Sequence, residues 1–322
     1  MVPIKLEGLR PQAYEHPTDA AALKALKNTS GFETFIRKVN EWGIERYLRV
    51  QLTGSYLRVT PDSFPDLHRI LSDVRDRLDV STDIDLYVAA GGEINAYTFG
   101  VDHPLIVLTS PAVELLSPDE LTYVIGHEIG HVKSGHVLYY QIADVLPLIG
   151  GLIAGVTFNL GEYFTTGIQM ALLYWKRTSE YTADRAGLLA CQNAEVAWKA
   201  LMKLAGLPSR YYDTVNTEDF LKQARDFKDL DVDTLSRVAR WLSVLGATHP
   251  WTVERAQMLH QWIDDGSYEN VLKNPRITQF KLPPGVKNFC TNCGYPLKGT
   301  ESFCPSCGAR LGGGAAAGAA AS

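Results

Sequence analysis

The sequence has little of the features that most directly assign a protein to a class. It holds 5 cysteines in 322 residues, 31 Lys plus Arg against 36 Asp plus Glu, and no glycine-rich nucleotide loop. Residues 1–19 carry several charges and never reach the apolar run of about 7 to 15 residues that a secretory signal requires. These shortages exclude a disulfide framework along the chain and a chain-wide electrostatic reason to bind nucleic acid, and they give no support to ATP-driven chemistry or to export.

What is present is the composition of an ordinary globular protein. Hydrophobic residues make up 46% of the chain and charged residues 21%, which excludes collagen, a coiled coil and wholesale disorder. The length suits one medium domain with an appendage, or two small domains. Helical periodicity dominates and a few segments are rich in β-branched and aromatic residues, so we predict an α+β fold that is mainly helical with a small sheet.

Local patterns divide the chain into five parts. We predict a hairpin turned at Thr53-Gly54-Ser55, strands within 84–90, 93–100 and 104–110, and a long helix after Pro118. Periodicity fades after Tyr268, where prolines indicate a linker. The expected parts are a helical lead-in over 1–45, a main domain over 46–268, a linker over 269–288, a cysteine-rich module over 289–311 and a low-complexity tail over 312–322.

His127, Glu128 and His131 form an HExxH motif on the long helix. Residues four apart lie one turn apart on one helical face, so both imidazoles can reach one metal ion while Glu128 stands beside its open position. Zinc with three protein ligands keeps a fourth position for water and polarises a carbonyl, and the glutamate can move the proton. The motif is short and also occurs by chance, so a third ligand is needed to support a metal site.

The third ligand must come from elsewhere in the chain. The pattern HExxHxxGxxH fails because Gly135 and His136 fall four and five residues after His131, and we interpret His136 as a polar core or cap residue. A carboxylate from a later helix is the other solution, and Glu180 supplies one. Asp184, one turn on, could accept the free N–H of a zinc-bound histidine, although a Glu/Asp pair four apart is usually a solvated helix face.

Four motifs follow one another in the chain over about residues 45–265: NAYTFG, HEIGH followed by an apolar hairpin, SEYTADRAG and THPWTVERAQML. In these motifs and their order the chain resembles the M48 family of zinc metallopeptidases, which includes HtpX-like and Ste24-like proteases. The resemblance implies a zincin-type domain of the gluzincin kind. In that domain His127, His131 and Glu180 would be the zinc ligands, Glu128 the general base and Asp184 the partner of a ligand histidine.

The same resemblance implies the surroundings of the metal. Asn95, Ala96 and Tyr97 would border a cleft in which an extended peptide could add as a further strand. His249 and Arg255 would lie near the metal. His249 would either donate a hydrogen bond to the oxyanion or occupy the open zinc position and hold the enzyme off, whereas without the family His249-Pro250 suggests only a helix-start turn.

The segment 145–175 is unusually apolar, but Pro147 and several glycines interrupt it, so neither half reaches the roughly 20 uninterrupted residues of a spanning helix. We expect a helical hairpin that packs on the protein or on a partner. Peripheral contact with a bilayer is the first alternative and insertion the second. The expected localisation is cytoplasmic, with peripheral membrane association left open.

Four cysteines form two CxxCG pairs with ten residues between them, Cys290 with Cys293 and Cys304 with Cys307. Two such knuckles close a tetrahedral S4 site, which predicts a zinc ribbon with a structural zinc. We therefore expect two zinc cofactors, one catalytic and one structural. The ribbon could bind a protein partner, which we favour over nucleic acid, or serve only its own stability. Cys191 is predicted to be a small buried residue on a helix.

The sequence thus predicts a zinc endopeptidase that acts on peptides or unfolded proteins, with a role in protein quality control. Two alternatives stay open. One is a zinc-dependent peptide-binding or chaperone-like protein without turnover, and the other is a membrane-associated processing protease. The intact Glu128 argues against the first, because binding alone has no use for a general base.

Overall fold

A computed structural model describes residues 3–28, 44–143, 160–229, 250–277, 288–289 and 296–303. The helices in these ranges are α1 (Pro11–Tyr14), α2 (Pro17–Lys27), α3 (Ile44–Ser55), α4 (Pro65–Arg77), α5 (Ser110–Leu115), α6 (Pro118–Lys133), α7 (Leu160–Cys191), α8 (Ala194–Leu204), α9 (Thr217–Asp229), α10 (Thr252–Asp264) and α11 (Ser267–Lys273). Residues 137–143 are also helical. The strands are β1 (Leu57–Arg58), β2 (Asp85–Ala89), β3 (Ala96–Phe99), β4 (Leu105–Thr109), β5 (Asn288–Phe289) and β6 (Pro296–Leu297). The predicted α+β class is confirmed.

The first four strands form one sheet in the order β1-β2-β4-β3. Its centre is a parallel pair in which Asp85 is opposite Leu105, and all of β4 is buried, as expected for apolar strands covered on both faces. β3 pairs antiparallel with β4, with Ala96 opposite Leu108, and it stands at one end of the strand order. The three strands predicted within 84–110 are confirmed.

The hairpin predicted around Thr53-Gly54-Ser55 is wrong. Residues Ile44–Ser55 are the helix α3, and only the two residues Leu57–Arg58 pair with β2. Ile44, Leu48 and Leu52 recur every four residues, which is a helical spacing. Leu52 packs against the cluster that contains Tyr87. The helical spacing, together with the packing of Leu52, therefore outweighs the local strand propensity of the segment.

The core lies between the sheet and the pair of helices α6 and α7. It combines apolar side chains from the central strands with side chains from both helices, among them Leu86, Ile106, Ile125, Ile129 and Leu188. Cys191 is buried at the end of α7, as predicted. This arrangement places α6 with one face against α7 and the other near β3.

Residues 144–159, the first half of the predicted apolar hairpin, lie outside the described residues. The second half begins α7, a single helix of 32 residues that continues from Leu160 through Glu180 and Asp184. Across the portion of the chain that the structure describes, no helix combines the length and the apolar character needed to cross a membrane. Near the C-terminal end, β5 pairs antiparallel with β6.

Candidate active site

The helix α6 begins at a well-defined cap. Ser117 Oγ accepts a hydrogen bond from Glu120 N, Glu120 Oε2 accepts one from Ser117 N at 2.7 Å, and Pro118 occupies the first helical turn. This capping box satisfies backbone donors that the helix itself leaves unpaired. The start of α6 is thereby set, and His127 and His131 follow one turn apart on the face turned toward α7.

α7 approaches α6 unusually closely because small residues line the contact. A Cβ atom added to Gly130 would lie 2.5 Å from the Cβ of Ala186, and one added to Gly126 would lie closer still to Ala190. Side chains of ordinary size would hold the two helices apart by several ångströms. Ala183, Ala186 and Gly187 of α7 lie at this contact, and the close approach brings the carboxylate of Glu180 opposite the two histidines.

His127, His131 and Glu180 converge on one point. The two Nε2 atoms are 3.2 Å apart, His131 Nε2 is 3.4 Å from Glu180 Oε1, and His127 Nε2 is 3.5 Å from Glu180 Oε2. A tetrahedral zinc ion with bonds of about 2.0–2.1 Å would separate its ligand atoms by about 3.3 Å. The three side chains are buried, and no other group of His, Cys, Asp and Glu among the described residues offers such a cluster.

The chemistry of the three side chains also fits a metal ion. Burial lowers the pKa of His131 to about 3, more than the Glu180 carboxylate raises it, so this imidazole is neutral and keeps a lone pair. Burial also lowers the pKa of His127, but hydrogen bonds to Asp184 and Glu180 outweigh it and raise the pKa to about 9. A positive charge is therefore favoured between His127 and the carboxylates, and a divalent cation can supply it in place of the proton.

Asp184 and Arg255 support His127 from the outside. His127 Nδ1–H donates to Asp184 Oδ1 at 3.0 Å, and the Arg255 guanidinium donates to both Asp184 oxygens at 2.6 and 2.9 Å. Tyr123 Oη donates to Asp184 as well, at 2.8 Å. Burial would raise the pKa of Asp184, but the guanidinium beside it holds the pKa of that carboxyl well below its usual value. The structure thus brings both residues to the place that the sequence predicted for them.

Glu128 stands between the metal-ligand cluster and β3. Thr98 Oγ1 donates to Glu128 Oε2 at 2.7 Å and lies 3.3 Å from its main-chain oxygen. Burial raises the pKa of the Glu128 carboxyl above its ordinary value, more than the charge of His127 and the Thr98 hydrogen bond lower it. A glutamate with a raised pKa beside a metal site is suited to exchange protons near neutral pH.

A cavity of about 270 Å³ opens beside these groups. Its lining includes Asn95, Ala96 and Tyr97 as predicted, together with Leu52, Thr98, Phe99, Val137, Tyr140, Gln141 and Lys176. Asn95 is held in place by a bond from its N–H to Thr109 Oγ1 at 3.0 Å. His249 and the four cysteines Cys290, Cys293, Cys304 and Cys307 lie outside the described residues.

Sequence reasoning missed three polar residues around the cluster. Tyr140 Oη donates to Glu180 Oε1 at 2.5 Å, and His136 Nδ1 lies 3.0 Å from His131 Nδ1. Asp19, from the N-terminal helix α2, faces His136. His136 is buried, as its interpretation as a polar core residue required. Its spacing from the motif was the one available signal, whereas nothing local distinguishes Asp19 or Tyr140.

The chain is similar to known proteins over most of its length. A family model described as Peptidase family M48 matches residues 61–263, and one described as a zinc-ribbon domain matches residues 289–311. The plastoglobule-localized metallopeptidase 48, chloroplastic, of Arabidopsis thaliana is 30% identical over 273 residues, covering 84% of this chain and 78% of that protein. A protease HtpX homolog of Helicobacter pylori is 25% identical over 248 residues, covering 68% of this chain and 75% of that protein.

Among solved structures, the crystal structure of S. mikatae Ste24p matches 76% of this chain and 61% of that chain, with 19% identity and a TM-score of 0.43. The family match spans most of the chain and includes every residue of the cluster described above. The resemblance drawn from the four sequence motifs is confirmed, and so is the C-terminal ribbon. The chain belongs to peptidase family M48 and is a zinc-dependent metallopeptidase that carries a C-terminal zinc ribbon.

Proposed function

We propose that His127, His131 and Glu180 hold the catalytic zinc of an endopeptidase site. One observation carries this proposal: the two histidine Nε2 atoms stand 3.2 Å apart, and each lies 3.4 to 3.5 Å from one carboxylate oxygen of Glu180, near the edge length of a tetrahedral site and beside the Glu128 carboxyl. Zinc bound there supplies Lewis-acid polarisation of the scissile carbonyl and acidifies a water molecule. The protein supplies orientation and proton transfer.

Glu128 takes the proton from the attacking water and returns it to the leaving amine. Its raised pKa supports both steps, because a base that is too acidic would neither accept the first proton nor hold it for the second transfer. Thr98 fixes one carboxyl oxygen by its hydrogen bond. The other oxygen is thereby oriented for the reaction.

The substrate is an extended segment of a polypeptide. The metal ligands are nearly inaccessible, with exposed fractions of 6% for His127, 5% for His131 and 1% for Glu180, so a folded protein surface cannot reach them. A peptide in β conformation could pair with β3 along Asn95, Ala96 and Tyr97 and pass its carbonyl over the cluster. Unfolded proteins expose such segments, and this favours a role in protein quality control.

Asp184 and Arg255 position His127, and the family resemblance assigns His249 one of two roles in the reaction. Asp184 keeps the proton of His127 on Nδ1 and leaves Nε2 to the metal. His249 would stabilise the oxyanion or block the site until substrate displaces it. In the second case a His249→Ala variant is more active than wild type, and an unchanged or lower activity contradicts the blocking role.

The two zinc ions have different roles, one catalytic and one structural. The ribbon holds its own zinc through Cys290, Cys293, Cys304 and Cys307, a set of four thiolates that leaves no position for substrate. We assign that zinc to folding and expect the ribbon to contact a protein partner or substrate and not nucleic acid.

The name of the Arabidopsis relative places that protein at the plastoglobule. This supports peripheral membrane contact of an otherwise cytoplasmic chain. Flotation of the protein with lipid vesicles tests this proposal.

The test is cleavage of an unfolded protein by wild type and by Glu128→Gln, both with zinc content measured. The variant retains zinc because Glu128 is not a ligand, and its rate falls by about 10²- to 10⁴-fold. A variant as active as wild type contradicts the role of Glu128. If both the wild type and the His249→Ala variant bind the unfolded protein and neither cleaves it, the result would favour the peptide-binding alternative for this chain.

A further inference from the structure

The outer nitrogen of His131 faces a second imidazole, not a carboxylate. His131 Nδ1 lies 3.0 Å from His136 Nδ1, and His136 Nε2 lies 3.1 Å from Asp19 Oδ2. The second contact is close in distance but is not aligned as a hydrogen bond, so the Asp19 carboxylate acts on His136 through its own charge alone. The side chains of His136 and Asp19 are 0% exposed. A buried line of polar groups therefore runs from the metal-ligand cluster to helix α2.

We propose that Asp19, acting through His136, positions His131 for zinc binding. The proposal rests on the ligand set given above and adds two positioning residues to it. One of them lies in the N-terminal helix, well before residue 61, where the match to the family model begins. The N-terminal helix is then part of the metal site's support and not a detached lead-in.

The direction of the hydrogen bonds follows from the metal-binding role of His131. A histidine that binds a metal through Nε2 carries its proton on Nδ1. His131 Nδ1–H then donates to His136 Nδ1, which leaves the proton of His136 on Nε2, facing Asp19. A carboxylate only accepts, so Asp19 stabilises this arrangement and disfavours the reverse one, in which His136 would force the proton of His131 onto Nε2.

The end of α6 places His136 against His131. Gly135 has a φ of 70° and turns the chain back after the last helical turn, and His136 N donates to His131 O at 3.0 Å. A left-handed glycine at a helix end permits this reversal without steric strain. The five-residue spacing that fails to make His136 a direct ligand therefore puts it behind one.

Asp19 is held in position by two residues of α7. Trp175 Nε1–H donates to Oδ1 at 2.9 Å and Thr182 Oγ1 donates to Oδ2 at 2.5 Å. The indole also packs edge-on against the His136 ring, with centroids 5.5 Å apart. Asp19 cannot turn away from His136 without losing both bonds, so these bonds hold the carboxylate in place next to the imidazole.

The test is zinc affinity, measured by competition with a chromogenic chelator on the full chain. We expect His136→Leu to weaken catalytic-site binding by about 10- to 100-fold, because His131 Nδ1–H is left without an acceptor. Asp19→Asn has a smaller effect of the same sign. His136→Asn, which offers an oxygen near the Nδ1 position, recovers much of the affinity. The visible spectrum of the cobalt-substituted protein shifts in His136→Leu because the ligand geometry changes.

Two further variants separate the outcomes. Trp175→Phe removes one of the two bonds that hold Asp19, so we expect zinc affinity to fall, but by less than in Asp19→Asn. His131→Ala reports the zinc held elsewhere in the chain. Wild-type affinity and spectrum in both His136→Leu and Asp19→Asn would overturn the positioning role. Unchanged zinc content in His131→Ala would instead overturn the ligand set.

Discussion

The two histidines that we propose as zinc ligands lie one turn apart on one helix, yet they are supported in different ways. His127 is held by a carboxylate in direct contact, Asp184, whose charge is balanced by the guanidinium of Arg255 at 2.6 Å. His131 is held by a neutral imidazole, and the carboxylate behind it, Asp19, accepts from an indole and a hydroxyl. One support is short and charged, and the other is long and built largely from neutral donors.

The difference shows that the two buried carboxylates behind the histidines are stabilised by different kinds of groups. A buried carboxylate is costly unless it is paired. Asp184 already has its partner in Arg255, so the His127 side keeps its charge balance with or without the metal. The Asp19 side depends on contacts between α2 and α7, and its hydrogen bonds come from the uncharged groups of Trp175 and Thr182. The His127 side should therefore contribute more to stability, and the His131 side more selectively to metal binding.

Removal of Arg255 takes away the cation that supports Asp184 and His127, and it has the largest expected effect on stability. In Arg255→Ala the buried Asp184 loses its cation, and we expect a loss of about 3–5 kcal/mol in the free energy of unfolding. Urea denaturation of metal-free protein measures it. Arg255→Lys, which keeps the charge but not the paired bonds, should lie in between, and a loss below about 1 kcal/mol in the alanine variant would contradict the comparison.

Asp184→Asn weakens the direct contact between residue 184 and His127. We expect zinc affinity to fall by about 10- to 100-fold, because the neutral amide no longer fixes the proton of His127 on Nδ1. Chelator competition measures it. Tyr123→Phe is the matched control: it removes one hydrogen bond to Asp184, costs about 1 kcal/mol of stability and should leave zinc affinity near wild type.

Combining Asp184→Asn with Asp19→Asn sharpens the comparison. The two carboxylates act on different histidines and share no hydrogen-bond partner among the residues that the structure describes. Their effects on the free energy of zinc binding should therefore add to within about 0.5 kcal/mol. A larger coupling energy, measured by the same chelator competition, would mean that the two supports are one network.

Gly130→Ala acts on both sides at once by separating the helices that carry them. The added methyl group would lie 2.5 Å from Ala186, and such overpacking costs about 1–3 kcal/mol. Zinc affinity should fall as well, since Glu180 moves away from the histidines. Gly92→Ala is the control, because nothing lies within 4 Å of its added methyl. Equal thermal stability of the two variants would contradict the prediction.

Glu15→Gln has the smallest expected effect on stability and tests the surroundings of Asp19, the carboxylate behind His131 and His136. Burial, and then repulsion by Asp19, raise the pKa of Glu15 from 4.5 to about 7. A carboxyl whose pKa is higher in the folded state stabilises the fold fully below pH 4.5 and loses this contribution as the pH rises through about 7. The variant should exceed wild type by about 1–2 kcal/mol at pH 8 and match it below pH 4.5. Denaturation of metal-free protein at both pH values checks the sign.

Much of this protein can be predicted from short patterns because those patterns have local causes. The HExxH spacing follows from the helical repeat, and the strands of the sheet centre are continuous apolar runs. The capping box at Ser117 defines the start of α6. The segment around Gly54 was misassigned because its local strand propensity competes with a helical spacing whose effect depends on tertiary packing.

The sequence by itself determined the family and gave His127, Glu128, His131 and Glu180 as candidate site residues, because each rests on spacing along one helix or on a motif. Only the tertiary structure decided which distant groups meet them. Asp19 is 117 residues from His136 in the chain, and no periodicity links the two. Their contact exists because small residues let α6 and α7 pack closely and because α2 lies on α7, so the physical cause is packing between helices and not a local preference of either segment.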